Sequence, residues 1–407
     1  MTSDNEPKGA ILQRDKETYA IVPRIPGGLA KLENFKEIVK VVEKYNIPII
    51  KITSGHRLAL VGMKGEVVND IWHDLKMDEG RAVELCLHYV QACPGNAVCR
   101  FGVQDSLGLG IEIEKFFLNM TMPAKVKIGV SGCPFCCGES FVRDIGIIGK
   151  RRGWTVVFGG NSGRRPRIGD VIAENNSGDE VKTLAKLCLE FYAANGKKKE
   201  RTARFIERIG IDEFKKAIKE GMCSQPHIAP LIKFHHQIKD DLGEGYEIPL
   251  FDPCDGGIKS KALFLLEAPG PKAVKSGFIS RNNPDPSAKN MDRLLVESGF
   301  SRGETILWNI VPWYVGKERK IRSINAKDID TSMPYLECLL KLLPELRVII
   351  LVGKKAQSAK KKISKITKLP LIVSYHPSNQ SINRDKNRRP DILKKFKDAK
   401  EISNNPI

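Results

Sequence analysis

No apolar run in this sequence approaches the roughly twenty residues that a membrane-spanning helix needs. No apolar stretch follows the polar start Met1 to Pro7, as a secretory leader would require. A membrane role is therefore not expected, and residues 1–18 read as a disordered start. Ten cysteines without a leader fit a reducing compartment, the cytoplasm, where thiols hold metals or pack as apolar side chains. Cys86, Cys188, Cys223, Cys254 and Cys338 read as packed thiols. Acid is also scarce: 48 Asp and Glu stand against 67 Lys and Arg, for a net charge of +19. The excess is concentrated between Lys341 and Lys400, where 17 basic residues face 4 acidic ones. Such a stretch suits a polyanion, with the phosphate backbone of DNA foremost, unless it is only a solvated lysine-rich surface. A glycine-rich loop after a strand, Val156 to Gly163, has neither the dinucleotide fingerprint nor the lysine–serine pair of a phosphate loop.

What is present is a cysteine pattern. Cys93 and Cys99 form C-x5-C, and Cys133 and Cys137 form C-x3-C inside Ser131-Gly132-Cys133-Pro134-Phe135-Cys136-Cys137-Gly138. A 4Fe-4S cube takes four soft, deprotonated sulfur ligands at its corners, and two short loops brought together can supply them. Structural zinc usually takes tighter knuckles, so zinc or unliganded thiols are the lesser readings. Cys136 is a fifth candidate, and spacing leaves the register of the second pair open.

Around this pattern the first 221 residues read as α+β. Tyr19 to Pro23, Ile47 to Thr53 and Arg57 to Val61 have strand character. Leu29 to Tyr45 carries Phe35, Ile38, Val39 and Val42 at helical spacing, and Val67 to Leu75 returns to helix. This order predicts a half-ferredoxin-like layer over residues 19–77. In residues 78–221, helices are expected at Asp78 to Gln91, Asp105 to Met120, Asp179 to Asn195 and Glu200 to Glu220. The helix after Asp105 should carry Ile111, Ile113, Phe116 and Phe117 into a core. A strand is expected at Ala124 to Val130, and a hairpin at Val142 to Gly149 with Trp154 to Phe158. Alternation places Lys125 and Lys127 on one face of their strand.

The run Ala92 to Ser106, followed by Val130-Ser-Gly-Cys-Pro134, resembles the cluster domain of sirohaem-dependent sulfite and nitrite reductases, most closely the small assimilatory type. The resemblance covers residues 19–219 and implies a 4Fe-4S cluster, sirohaem, an electron donor such as ferredoxin, and sulfite or nitrite as substrate. It also implies that Cys137 is the ligand shared with the sirohaem iron, and that the Thr53 to Arg57 loop faces the anion. Larger members carry an arginine where this chain has Gly55, and here the guanidinium is at Arg57. An anion beside a cofactor bearing many carboxylates requires cations, and Arg57, Arg100, Lys125 and Lys127 are the available set.

From residue 222 to 407 the pattern restarts. Leu263 to Leu266, Thr305 to Trp308, Val348 to Val352 and Leu371 to Ser374 are continuous apolar runs, as in buried parallel strands. Helical stretches at Asn290 to Glu297, Ser332 to Leu343, Lys354 to Ile363 and Asp391 to Ile402 lie between and after them. This predicts a three-layer α/β sandwich with its site in the loops at the carboxyl ends of the strands. Those loops read Glu267-Ala-Pro-Gly270, Asn309-Ile-Val-Pro312 and His376-Pro-Ser378, with Gly277-Phe278-Ile279-Ser280 between the first two. Together they resemble the uracil-DNA glycosylase superfamily over residues 258–397. The resemblance implies extrusion of a base into a pocket. Phe278 is expected to stack on the base and Asn309 to read its Watson–Crick edge. His376 is expected to donate to O2, and Glu267 to orient water or steady the sugar cation. Lys360, Lys361, Lys362, Arg384, Arg388 and Arg389 would grip phosphates.

The expectation is thus a reductase unit with Cys93, Cys99, Cys133 and Cys137 as cluster ligands, joined to a glycosylase unit. The rival is a DNA-repair glycosylase whose first part is only an iron–sulfur electron-transfer or structural module.

Overall fold

The computed structural model describes residues 7, 9–81, 83–118, 120–317 and 320–404. It divides into two compact units, Met1–Lys219 and Glu220–Ile407.

The first unit opens with a four-stranded antiparallel sheet. Its elements are β1 (Ala10–Leu12), β2 (Thr18–Ile21), helix α1 (Leu32–Lys44), β3 (Ile49–Ile52), β4 (Leu58–Lys64) and helix α2 (Val68–Leu75). The strand order is β1-β2-β4-β3. The expected disordered start is corrected from residue 9 onward, because β1 pairs with β2. The turn between them is closed by the Asp15 carboxylate, which accepts from the N–H groups of Glu17 and Thr18 at 3.0 Å. Residues 1–6 and 8 lie outside the described residues. In α1 the buried side is Ile38 and Val41, flanked by half-buried Val42, whereas Phe35 and Val39 face outward.

The cluster-bearing layer follows. It comprises β5 (Leu87–Ala92), α3 (Ser106–Phe117), β6 (Val126–Ser131), β7 (Ile145–Lys150), β8 (Gly153–Phe158), β9 (Asp170–Asn176), α4 (Gly178–Asn195), α5 (Thr202–Ile209) and α6 (Ile211–Cys223). The sheet runs β5-β6-β7-β8-β9, parallel for the first three strands and antiparallel thereafter. The helix expected from Asp78 to Gln91 is corrected: its second half is β5, a strand with all six residues buried. A strand covered on both faces shows no alternation and cannot be told from a buried helix by period. Parallel pairing of β5 with β6 requires a crossover, and α3 supplies it. On α3, Ile113 and Phe117 are buried one turn apart, while Phe116 points outward. The single helix expected from Glu200 to Glu220 is two, α5 and α6. The chain breaks at Gly210, whose φ of 86° lies outside the helical region.

The second unit contains α7 (Ala229–Leu242), β10 (Leu250–Phe251), β11 (Ala262–Leu266), α8 (Pro271–Ser276), β12 (Phe278–Ile279), α9 (Pro286–Glu297) and β13 (Thr305–Asn309). It continues with β14 (Gly316–Lys317), β15 (Lys320–Ile321), α10 (Ala326–Lys341), β16 (Val348–Val352), α11 (Lys354–Ser358), α12 (Lys360–Ile366), β17 (Leu371–Ser374), α13 (Asn379–Ile382) and α14 (Arg388–Asn404). Its central sheet has the order β13-β11-β16-β17, all parallel, and helices cover it. The four strands are the four apolar runs of the sequence. The α7 helix was not anticipated, although Leu231, Phe234, His235 and Ile238 are its buried face at helical spacing. The stretch expected as one helix from Lys354 to Ile363 is broken at Ala359. Because the chain leaves β11 towards β13 on one side and later returns to β16 on the other, a crevice opens at the carboxyl end of β11.

Candidate functional site

The two cysteine loops leave the carboxyl ends of the neighbouring parallel strands β5 and β6, which is why residues far apart in sequence meet. The Cys93 N–H donates to Val130 O at 3.0 Å. The Gly132 N–H donates to Cys93 Sγ at 3.1 Å. Gly132 O accepts from Val103 and Gln104 N–H at 2.9 and 3.1 Å. The loops touch through glycines: a Cβ on Gly132 would lie 2.6 Å from Gly95 Cα, and within the first loop one on Gly102 would lie 2.4 Å from Gly95 C. Cys93 and Cys133 are buried, Cys99 is half-buried and Cys137 is exposed. Cys136 sits at φ 56°, a left-handed conformation, and burial raises its thiol pKa while the Ser131 hydroxyl opposes the rise. Among the described residues, no three His, Cys, Asp or Glu side chains converge where a single ion could sit. Sulfurs that grip separate corners of a cube need no such point, and an N–H aimed at sulfur is what a cluster thiolate accepts. The donor set therefore fits a cluster.

A cationic recess surrounds Tyr89 on β5. Arg57 lies 5.1 Å, Lys127 5.6 Å and Arg143 5.9 Å from the Tyr89 ring centre. Arg57 reaches the carbonyls of Arg81 and His88 at 3.3 and 3.4 Å, and Arg143 donates to Gln91 Oε1 at 2.5 Å and to Glu139. Arg57 Nε, Arg143 Nε and the Tyr89 hydroxyl are buried without a hydrogen-bond partner among the described residues. Burial lowers the Arg57 pKa and raises that of Tyr89. Burial, then the nearby Arg201 and Arg143, lower that of Lys127. Three buried donors without a partner beside clustered positive charge have the sign and the hydrogen-bonding capacity that suit an anion. Buried Asp144 holds the frame: it accepts from Lys127 N at 2.8 Å, Arg201 Nη2 at 2.5 Å and Thr202 Oγ1 at 2.5 Å.

Of the four cations named from sequence, Arg57 and Lys127 meet here. Lys125 is half-buried and close enough to depress the pKa values of His88 and Lys127. Arg100 lies exposed on the first cysteine loop, with its guanidinium 4.5 Å over Phe101. Tyr89, Gln91 and Arg143 were missed. Tyr89 and Gln91 share one face of β5 at strand spacing, a signal hidden by the helical reading of that stretch.

In the second unit a cavity of ≈ 370 Å³ opens at the carboxyl ends of β11 and β13. Asn309 and His376, 67 positions apart in the chain, both line it. Asn309 is 4% exposed and its Nδ2 has no partner among the described residues. His376 reaches the cavity from the loop after β17. Gly353 at φ 89° makes room for it, since a Cβ there would stand 3.2 Å from His376 Cβ. The Ser378 N–H donates to His376 Nδ1 at 3.1 Å, so in the neutral ring the hydrogen is on Nε2. Burial lowers the His376 pKa and Asp285 partly opposes this, which favours the neutral ring.

Two expected residues are placed elsewhere. Phe278 pairs with Leu250 in β12, and strand alternation turns its neighbour Ile279 to the cavity instead. No phenyl, phenol or indole ring is among the lining residues; Ile279, Met291 and Leu307 form apolar walls. Glu267 accepts from the Ile324 N–H at 3.4 Å and does not line the cavity. A second depression, of ≈ 600 Å³, shares His376 and is rimmed by Lys354, Arg384 and Arg388. Among the described residues, no helix is long and apolar enough to cross a membrane.

Three family models match the chain. The nitrite/sulfite reductase ferredoxin-like half domain matches residues 11–78, and the nitrite and sulphite reductase 4Fe-4S domain matches residues 85–225. The uracil DNA glycosylase superfamily matches residues 253–400. The assimilatory-type sulfite reductase of Nitratidesulfovibrio vulgaris is 59% identical over 214 residues, which is 53% of this chain and 98% of that protein. The NAD(P)H nitrite reductase of Bacillus subtilis is 39% identical over 216 residues, 53% of this chain and 27% of that much longer protein. Among solved structures, the Mycobacterium tuberculosis NirA protein aligns with a TM-score of 0.47 and 14% identity, over 89% of this chain and 69% of its own.

Proposed function

Because the chain belongs, through its first unit, to the nitrite and sulphite reductase family, whose cofactors are a 4Fe-4S cluster and sirohaem, we propose that this unit reduces sulfite, with nitrite as the alternative anion, and that the second unit excises uracil from DNA. The first half rests on the three unpartnered donors, Arg57 Nε, Arg143 Nε and Tyr89 OH, in a cationic recess. Cys93, Cys99, Cys133 and Cys137 would hold the cluster, and Cys137, the exposed one of the four, would be the ligand on the side of the sirohaem. When bound, these groups supply electrons and a metal site for the anion. Arg57 and Arg143 neutralise the anion and the carboxylates around it. Lys127, made more acidic by burial, gives up a proton more readily than a solvated lysine and so can feed protons to oxygen atoms leaving the substrate.

The electron donor is a small redox protein such as a ferredoxin. The visible spectrum of anaerobically purified protein tests this half. Soret and red bands, extractable isobacteriochlorin and sulfite-dependent oxidation of reduced methyl viologen are expected. A cluster spectrum with no tetrapyrrole would overturn the reductase reading and leave an electron-transfer or structural module.

For the second unit, the unpartnered Asn309 amide is the observation that matters. Its Nδ2–H donates to uracil O4 and its Oδ1 accepts from N3–H, whereas cytosine presents the opposite pattern. His376 Nε2–H donates to O2, where negative charge collects as the glycosidic bond lengthens. The basic rim of Lys354, Arg384 and Arg388 takes the flanking phosphates. Release of free uracil from a uracil-containing oligonucleotide is expected, with cytosine untouched. Equal release by wild type and Asn309→Ala would refute this assignment.

A further inference from the structure

With Glu267 directed to the Ile324 amide, one carboxylate remains among the residues that line the cavity: Asp285. Its partners in the lining are Asn309, buried with an open amide, and His376, whose titration senses the Asp285 charge. The position is fixed. Asp285 is the N-cap of α9, with Oδ1 accepting from Ala288 N–H at 2.9 Å and Pro286 entering the first turn. The backbone is fixed as well, since Asp285 N–H donates to Asn283 O at 2.8 Å. A cap engages one carboxylate oxygen, and the charge of the group stays available to the cavity. The other full charge in the lining is Lys272; His376 is held towards neutrality by burial.

Resting on the glycosylase reading, we infer that Asp285 is a catalytic residue, the carboxylate that faces the deoxyribose while Asn309 and His376 hold the base. As the C1′–N1 bond breaks, its electron pair leaves with uracil and C1′ becomes an oxocarbenium centre. The carboxylate stabilises that cation and accepts the proton of the water whose oxygen bonds to C1′. The proton passes to solvent, the uracil anion takes one up, and free uracil and an abasic site result. Base and sugar are therefore served by different residues of one cavity: neutral donors at the base and negative charge at the sugar.

Asp285→Asn separates this role from simple capping, because Asn caps a helix as well as Asp does and carries no charge. In the full chain, D285N is expected to keep the wild-type melting temperature and to lose about 100-fold in single-turnover uracil release, the scale of removing one preorganised electrostatic group. Binding supplies a readout that a cap would not move. Wild type should bind an oligonucleotide with a cationic pyrrolidine abasic site more tightly than one with a neutral tetrahydrofuran site, and D285N should bind the two alike. If wild type releases uracil and D285N matches it in rate and in preference for the cation, Asp285 is only a cap and the uracil reading stands. If wild type neither releases base nor prefers the cationic site, both fall.

Discussion

Replacing Gly132 by alanine should separate the two cysteine loops while leaving every thiol in place. Gly132 does not have a positive φ, so the substitution adds no backbone strain and its effect is purely steric. The new Cβ would stand 2.6 Å from Gly95 Cα and 2.9 Å from both Gln104 O and Ser106 Oγ. Two of those neighbours are backbone, which cannot swing aside as a flexible side chain can. Relief requires the loops to part. That weakens the Gly132 N–H to Cys93 Sγ bond and the two bonds that Gly132 O accepts. Overpacking of this kind costs about 1–3 kcal/mol, which corresponds to roughly 5- to 150-fold in the equilibrium between joined and parted loops. The assay is iron and acid-labile sulfide per chain after anaerobic purification, with the absorbance of the cluster. Markedly substoichiometric iron is expected in G132A, with uracil release by the second unit unchanged. A G132A protein with full iron and wild-type sulfite reduction would show that loop contact does not hold the cluster, and the account of the cysteine site would fail.

Three further outcomes follow from the same sites. Tyr89→Phe removes a buried hydroxyl that has no partner, so thermal stability of the substrate-free protein should hold or rise by about 1 kcal/mol, while KM for sulfite increases. Burial depresses the His88 pKa from 6.5 to about 4. The unfolded chain therefore takes up a proton first as pH falls, and stability is lost between about pH 6.5 and 4, by at most about 1.4 kcal/mol per unit. Urea unfolding at several pH values should show this slope in wild type and a flatter one in His88→Gln; equal slopes would count against it. Asn309→Asp puts an acceptor where uracil O4 needs a donor, so uracil release should fall by about 100-fold or more in single turnover, and oligonucleotide binding at the basic rim should persist.

Much of the architecture was legible because its causes are local. Four apolar runs of four or five residues are what a covered parallel sheet requires, and β11, β13, β16 and β17 are those runs, the first three almost wholly buried and the edge strand β17 only partly so. The same burial hid β5: Leu87 to Ala92 has no exposed face, hence no period, and its company with β6 comes from a crossover that no window of sequence contains. With β5 misread, Tyr89 and Gln91 dropped out of the cationic recess, and Arg143, delivered from the end of a turn to the Tyr89 ring, carried no signal of its own. In β12 a single step of strand alternation decided that Ile279, and not Phe278, meets the cavity.

By itself the sequence determined which chemistries are available: thiols at cluster spacing, an amide and an imidazole at strand ends, and an excess of positive charge near the carboxyl terminus. Tertiary structure decided which of them act together. Only folding can bring Gly132 against Gly95, leave three donors unpaired around Tyr89, and keep one carboxylate, Glu267, out of the cavity lining while another, Asp285, belongs to it. The reason is that burial and vacancy are properties of three-dimensional neighbours, and a residue's neighbours in space are set by strand order and crossovers rather than by its own place in the chain.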